Sequence, residues 1–122
     1  MEQSEFLENK VFTGLKNLNE GDDNETVHLF SEADFEVVLE RVEHYGIGVY
    51  KIEAWQNNEL RETFAHDDFK KKATDPKWYK KAFLTLKLGQ PGLSYSANYK
   101  VSAKLLAKLS SSYFLLPINY FD

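Results

Sequence analysis

The sequence predicts an α+β fold, in which one antiparallel β-sheet is covered by helices on one face. Several short segments alternate apolar and polar residues with a two-residue period, as half-buried strands do. Two longer segments repeat apolar residues at intervals of three and four, as amphipathic helices do. At 122 residues the chain fits one domain. We expect an N-terminal helix at about 4–18, a core at about 26–101, and a C-terminal helix with an apolar tail at about 102–122.

The first predicted element is the N-terminal helix, because Leu7, Val11, Leu15 and Leu18 share one helical face. The run 19–25 clusters Gly, Asp and Asn, which is typical of a loop. A short first strand is predicted to follow this loop, over residues 26–30.

The next helix has both start and stop signals. Ser31 is the predicted N-cap, and Phe30 and Phe35 occupy the hydrophobic-staple positions on either side of it. Gly46 suits the left-handed residue that ends many helices. These residues predict a helix between Ser31 and Gly46.

Residues 47–55 and 59–66 are predicted to form a β-hairpin. Asn57 and Asn58 lie between them, and asparagine tolerates the positive φ angles that a two-residue turn requires. The predicted cross-strand pairs are Trp55 with Leu60, Glu53 with Glu62, Lys51 with Phe64, and Val49 with His66. The pairing of Glu53 with Glu62 is unusual, because like charges directly across a strand pair are destabilising.

The second core helix is predicted to begin at Asp75-Pro76, an N-cap followed by proline at the first helical position. Residues 93–101 alternate as a strand, and Ser102 is placed to cap a short final helix. Pro117 argues against a long central strand in the apolar tail. The predicted order is therefore β-α-β-β-α-β, which resembles the ferredoxin-like or split β-α-β topology.

In this topology the two core helices cover one sheet face and leave the other open. The side chains expected on the buried face are Val27, Leu29, Tyr50, Ile52, Ala54, Tyr95, Ala97 and Tyr99. Those expected on the open face are His28, Lys51, Glu53, Trp55, Leu60, Glu62, Phe64, His66, Ser96 and Asn98. From this open face, Lys51, Trp55, Leu60, Phe64 and Asn98 are the candidate binding residues. A one-residue slip of the hairpin would exchange the faces of a whole strand.

The candidate catalytic residues are two carboxylates and two histidines on the open face. Glu53 and Glu62, if adjacent, would separate each other's pKa values and provide a general acid beside a base. His28 or His66 could assist. The simpler interpretation is that Lys51 neutralises the glutamates. Glu62 and His66 are four residues apart on a strand, about 13 Å, too far to share a metal, so no metal or cofactor is expected.

The charges are distributed unevenly along the chain. Residues 1–69 hold 17 Asp and Glu against 5 Lys and Arg, and residues 70–122 hold 2 against 10. Because the first core helix is acidic and the second basic, we expect the two helices to neutralise each other. The stretch 69–81 interleaves six lysines with aromatic residues, a pattern that could bind nucleic acid. The overall charge of −4 and the lack of arginine in this stretch disfavour that role.

The sequence carries no phosphate-binding, zinc-protease or nucleophile-elbow motif. It has no cysteine, no apolar signal segment and no window long enough to span a membrane, so we expect a cytoplasmic protein. The favoured function is a non-enzymatic interaction or regulatory domain, of inhibitor or immunity type, that binds another protein or a second copy of itself through the open face. The alternative is a small enzyme or ligand-binding protein that uses Glu53 and Glu62 with His28 and His66.

Overall fold

The computed structural model describes residues 2–19 and 27–107. Its elements are α1 (Gln3–Phe6), β1 (Phe30–Ser31), α2 (Glu32–Tyr45), β2 (Gly48–Gln56), β3 (Glu59–Ala65), α3 (Pro76–Gly89) and β4 (Ser94–Lys100). A π-helical turn, Leu7–Val11, continues α1, and a 3-10 turn, His66–Phe69, follows β3. The predicted loop beyond residue 19, the beginning of the first strand and the apolar tail from residue 108 lie outside the described residues. The α+β class and the order β-α-β-β-α-β are confirmed.

The two core helices begin and end where their capping residues predict. The Ser31 hydroxyl accepts a hydrogen bond from the Asp34 N–H at 3.3 Å, and Gly46 ends α2 with a φ of +69°. The Asp75 carboxylate accepts from the Lys77 N–H at 2.9 Å at the start of α3. These bonds satisfy backbone N–H groups that have no partner within the helix.

The N-terminal helix is shorter than predicted. Helical geometry ends at Val11, where the sequence predicted a helix up to residue 18. The Arg41 side chain of α2 donates hydrogen bonds to the carbonyl oxygens of Val11 and Thr13, at 2.9 and 2.7 Å. Gly14 has a φ of +80°, outside helical geometry. The helix therefore ends because a distant guanidinium binds carbonyls that a longer helix would have used itself.

The β2–β3 hairpin has the predicted turn but not the predicted register. Asn57 and Asn58 both have positive φ, and Trp55 pairs with Leu60 as expected. A β-bulge at Arg61 then shifts β3 by one residue. The resulting pairs are Ala54 with Glu62, Glu53 with Thr63, Ile52 with Phe64, and Lys51 with Ala65. The predicted pairing of Glu53 with Glu62 is therefore wrong, because a bulge inserts one residue that a two-residue period does not reveal.

The strand order across the sheet is β1-β4-β2-β3, and every neighbouring pair is antiparallel. β2 and β4 lie at the centre, with α2 joining β1 to β2 and α3 joining β3 to β4. This order does not confirm the ferredoxin-like topology. Against β4, β2 also has an irregularity at Tyr50, which leaves that side chain 41% exposed where a buried position was predicted.

The core lies between the sheet and the two helices. Phe35 of α2 and Phe83 of α3 both contact the ring of Tyr95 on β4, with centroids 5.3 and 5.0 Å apart. Ile52 and Ala54 of β2 are fully buried on the same face, which we call the inner face. This arrangement confirms that α2 and α3 cover one side of the sheet.

The facing helices α2 and α3 also share two ion pairs. Lys80 lies 2.6 Å from Glu43, and Lys87 lies 3.7 Å from Glu36. Part of the charge asymmetry is therefore neutralised between neighbouring helices, as the sequence suggested. Because these side chains are partly exposed, each pair contributes little to stability.

Candidate functional site

The candidate site begins with the sheet face opposite α2 and α3, here called the outer face. The residues that form it are Lys51, Glu53 and Trp55 of β2, Leu60 and Thr63 of β3, and Ser96 and Asn98 of β4, which are cross-strand neighbours. Leu60 is 48% exposed, whereas Ser96 is only 2% exposed. The outer face thus combines an exposed apolar side chain with a buried hydroxyl.

A chain of polar contacts crosses the outer face. The Trp55 indole N–H donates to the Ser96 hydroxyl at 2.9 Å, and that hydroxyl donates to Glu53 Oε1 at 3.3 Å. The Lys51 ammonium lies 3.8 Å from the other oxygen, Oε2. Glu53 is therefore held by a donor on one oxygen and a cation near the other. This is the lysine neutralisation that the sequence suggested, although it acts on Glu53 alone.

A cleft of about 410 Å³ adjoins the outer face. Its lining residues are Gln3, Ser4, Leu7, Glu8, Phe12, Val27, His28, Glu53, Ser96, Ala97, Asn98 and Tyr99. It thus lies between α1 with its π-helical turn, the segment before β1, and the second half of β4.

The cleft forms because the chain before β1 leaves β4 instead of pairing with it. β1 pairs with β4 only through Phe30 with Tyr95 and Ser31 with Ser94. The backbone of the preceding residue, Leu29, forms hydrogen bonds with residues 17 and 18. Its N–H donates to the Asn17 side chain at 3.0 Å, and its carbonyl accepts from the Leu18 N–H at 2.7 Å. These two bonds hold the segment before β1 next to residues 17 and 18, and none of residues 27–29 pairs with β4.

Among its lining residues the cleft has two carboxylates and three aromatic rings. Glu8 and Glu53 are its carboxylates, and His28 lies 3.7 Å from Glu8. The His28 imidazole stacks on Phe12 with centroids 4.6 Å apart. Tyr99 also lines the cleft; its hydroxyl is buried without a hydrogen-bond partner in the described part of the chain, and burial raises the pKa of that hydroxyl well above its ordinary value.

The structure brings together only some of the residues that the sequence selected. Glu53, His28 and Asn98 all line the cleft, and Lys51, Trp55 and Leu60 lie on the outer face beside it. Glu53 and Asn98 belong to both groups, because they lie on the outer face and also line the cleft.

The remaining predicted residues lie elsewhere. Phe64, predicted on the open face, pairs with Ile52 on the inner face and contacts Phe69, because the bulge reverses its side. Glu62, which lies on β3 like Phe64, is opposite Ala54 of β2 for the same reason. His66 begins the 3-10 turn, with Nδ1 2.8 Å from the Lys71 carbonyl oxygen. Glu62 and His66 therefore do not join Glu53.

The sequence did not indicate the part of the site that residues 3–12 supply. Gln3, Glu8 and Phe12 line the cleft although no local pattern marks them as functional. The side chain of Gln3 bonds to the backbone of Tyr99 and Val101, 96 and 98 residues away. A contact at that separation leaves no signal in sequence periodicity.

Two other features are absent from residues 2–19 and 27–107. Within these ranges no group of three or more His, Asp or Glu side chains is placed to hold a metal ion. No helix there is long and apolar enough to cross a membrane. Comparison with known proteins gives no match to a family model, to a curated protein or to a solved structure.

Proposed function

We propose that this chain is a non-enzymatic interaction domain that binds another protein through the outer face. The observation that carries the proposal is the arrangement around Trp55. Its indole N–H is satisfied by Ser96, and its neighbour across the strand pair, Leu60, is 48% exposed. An anchored aromatic ring beside an exposed apolar side chain is the kind of surface on which interface hot spots form.

The charges around this centre also fit a protein contact. Lys51 and Glu53 lie side by side at its border and carry opposite signs. Partly exposed charges at the rim of an interface contribute mainly to orientation and association rate. They suit a partner protein or, because the two signs could pair across a two-fold axis, a second copy of the chain.

The proposal is tested by replacing Leu60 with the photo-crosslinking residue p-benzoyl-phenylalanine in cells that make the protein. Irradiation should give one discrete adduct, whose partner is identified by mass spectrometry and then purified. Trp55→Ala and Leu60→Glu should each weaken binding of that partner at least about tenfold in calorimetry.

The matched control is Leu88 of α3, which is 75% exposed but lies on a helix of the inner face. A crosslinker at Leu88 should give no adduct with the same partner, and Leu88→Ala should bind normally. Equal adducts at both positions, or a partner insensitive to Trp55→Ala in a variant that remains folded, would exclude the outer face as the contact surface.

A further inference from the structure

Along the part of β4 that lines the cleft, the backbone N–H and C=O groups of alternate residues point away from β2. The Gln3 side-chain amide donates to the Tyr99 carbonyl oxygen at 3.1 Å, and the Val101 N–H donates to the Gln3 side-chain oxygen at 2.8 Å. In an antiparallel strand, the N–H and C=O of one residue point to the same side, and the sides alternate along the strand. Tyr95, Ala97 and Tyr99 therefore all direct their backbone polar groups away from β2 and toward the β1 side.

On this edge Tyr95 and the carbonyl of Tyr99 have partners, whereas Ala97 has none among the described residues. Tyr95 pairs with Phe30, and the Tyr99 carbonyl is bonded to Gln3. If the register of β1 continued, His28 would pair with Ala97, yet no hydrogen bond joins them. Among the described residues, none bonds to the outward N–H or C=O of Ala97 or to the N–H of Tyr99. This short length of strand edge faces the cleft with its hydrogen-bonding capacity unused.

We propose that the cleft binds an extended peptide segment of the partner protein, which adds to β4 as a short strand at Ala97. This inference rests on the proposed function, because it names the recognition element that the partner supplies. Pairing with the backbone of an exposed strand edge is an established mode of peptide recognition. Ala97 to Tyr99 spans about 7 Å of strand, which three residues of a pairing peptide would match.

The charge of the cleft specifies the side chain that the peptide presents. Within the described residues, its only carboxylates are Glu8 and Glu53, and no lysine or arginine lines it. The Glu53 side chain is 20% exposed, so a cation beside it would be partly shielded from water. Attraction between opposite charges strengthens as solvent is excluded. The segment therefore carries a lysine or arginine, which replaces or supplements Lys51 as the cation near Glu53.

The test uses the acetylated and amidated heptapeptide Thr-Val-Thr-Lys-Thr-Val-Thr as the probe. Strand addition depends mainly on the backbone, so a β-prone peptide with one central lysine is sufficient. On titration into the ¹⁵N-labelled chain, the Lys peptide should shift the amide signals of Ala97, Asn98 and Tyr99 saturably. It should also slow hydrogen exchange at Ala97, which in the free chain exchanges faster than the β2-paired amides of Ser96 and Asn98.

Matched peptides and protein variants distinguish the contribution of backbone pairing to binding from the contribution of charge. The same peptide with glutamate in place of lysine should bind at least about tenfold more weakly, and Glu53→Gln should weaken the Lys peptide similarly. Glu59→Gln, the same charge change at the hairpin, should leave binding unchanged. Two further versions of the Lys peptide carry N-methyl groups on alternate backbone nitrogens. The version whose methyl groups replace the N–H groups that face β4 should lose binding, and the other version should keep it.

The remaining outcomes distinguish the cleft proposal from the outer-face proposal. No saturable shift at Ala97, or equal binding of the Lys and Glu peptides, overturns the cleft proposal. Shifts confined to Trp55 and Leu60 overturn it while leaving the outer face as a contact surface. Binding at Ala97 without any photo-adduct at Leu60 supports the cleft and removes the outer face.

Discussion

The sheet has unpaired backbone along β3 at one edge and, at the other edge, along the part of β4 that the short β1 leaves uncovered, which we call the β4 edge; the two stretches differ. The β3 edge is occupied by exposed charged residues, Glu59, Arg61 and Glu62, and it is bent by the bulge at Arg61. Charges and bulges on an edge strand both discourage pairing with another chain. The β4 edge has neither feature at Ala97, and it is limited by β1 on one side and by Gln3 on the other. The comparison indicates that the fold blocks pairing along β3 and permits it over a short, bounded length of β4.

The largest expected difference between the edges is in packing. Phe30 of β1 is fully buried and contacts Phe12 with ring centroids 5.1 Å apart. Phe30→Ala should lower the free energy of unfolding by about 3–5 kcal/mol. Phe64 of β3 is only partly buried, so Phe64→Ala should cost about half as much. Urea denaturation of the two variants measures both values, and equal losses would contradict the view that the β1 edge is anchored more firmly.

An intermediate effect is expected from Gln3, because its side chain closes the end of the free β4 edge. Gln3→Ala leaves the Tyr99 carbonyl and the Val101 N–H without their partner, and it should lower the free energy of unfolding by about 2 kcal/mol. Faster hydrogen exchange at the Val101 amide should accompany the loss.

Two further variants test whether the amide itself is responsible. Gln3→Glu retains the acceptor for Val101 but loses the donor to Tyr99, so it should lie between the original chain and Gln3→Ala. Asn9→Ala, an exposed change on the neighbouring turn, should alter stability by less than about 0.5 kcal/mol. If Asn9→Ala is as damaging as Gln3→Ala, the loss comes from α1 as a whole and not from the two hydrogen bonds.

The features that the sequence predicted well depend on local chemistry. Ser31 and Asp75 cap α2 and α3 as predicted, Ser102 accepts a hydrogen bond from the Leu105 N–H at the start of a helical turn at 103–107, and Asn57-Asn58 forms the turn, because each acts on residues within about one turn of itself. The position of Glu53 beside Lys51 follows from strand alternation alone.

The features that the sequence did not predict depend on distant partners. The cleft arises where Leu29 bonds to Asn17 and Leu18, and where Gln3 reaches Tyr99. These contacts are set by tertiary packing, and periodicity contains no information about them. The central pairing of β2 with β4 likewise depends on how the two helices pack. For the candidate site, the sequence therefore indicated most of the outer-face residues but not the side of the cleft that residues 3–12 supply.

Apart from the control variant, the smallest effect on stability is expected at the bulge, which also gives the sharpest test of the difference between the two edges. Deleting Arg61 should leave the pairs Trp55 with Leu60 and Ala54 with Glu62 in place and join them into a regular ladder. Because every side chain keeps its face, the free energy of unfolding should change by less than about 1 kcal/mol. The straightened edge should instead associate with other copies, as flat exposed edge strands do. Sedimentation velocity over a range of concentrations measures this association.

The outcome for Arg61→Ala decides which property of the edge matters. That variant keeps the bulge and removes the charge, so it should sediment like the original chain if backbone geometry blocks pairing. If Arg61→Ala associates as strongly as the deletion, the positive charge is the protecting feature and the bulge serves only to set the register.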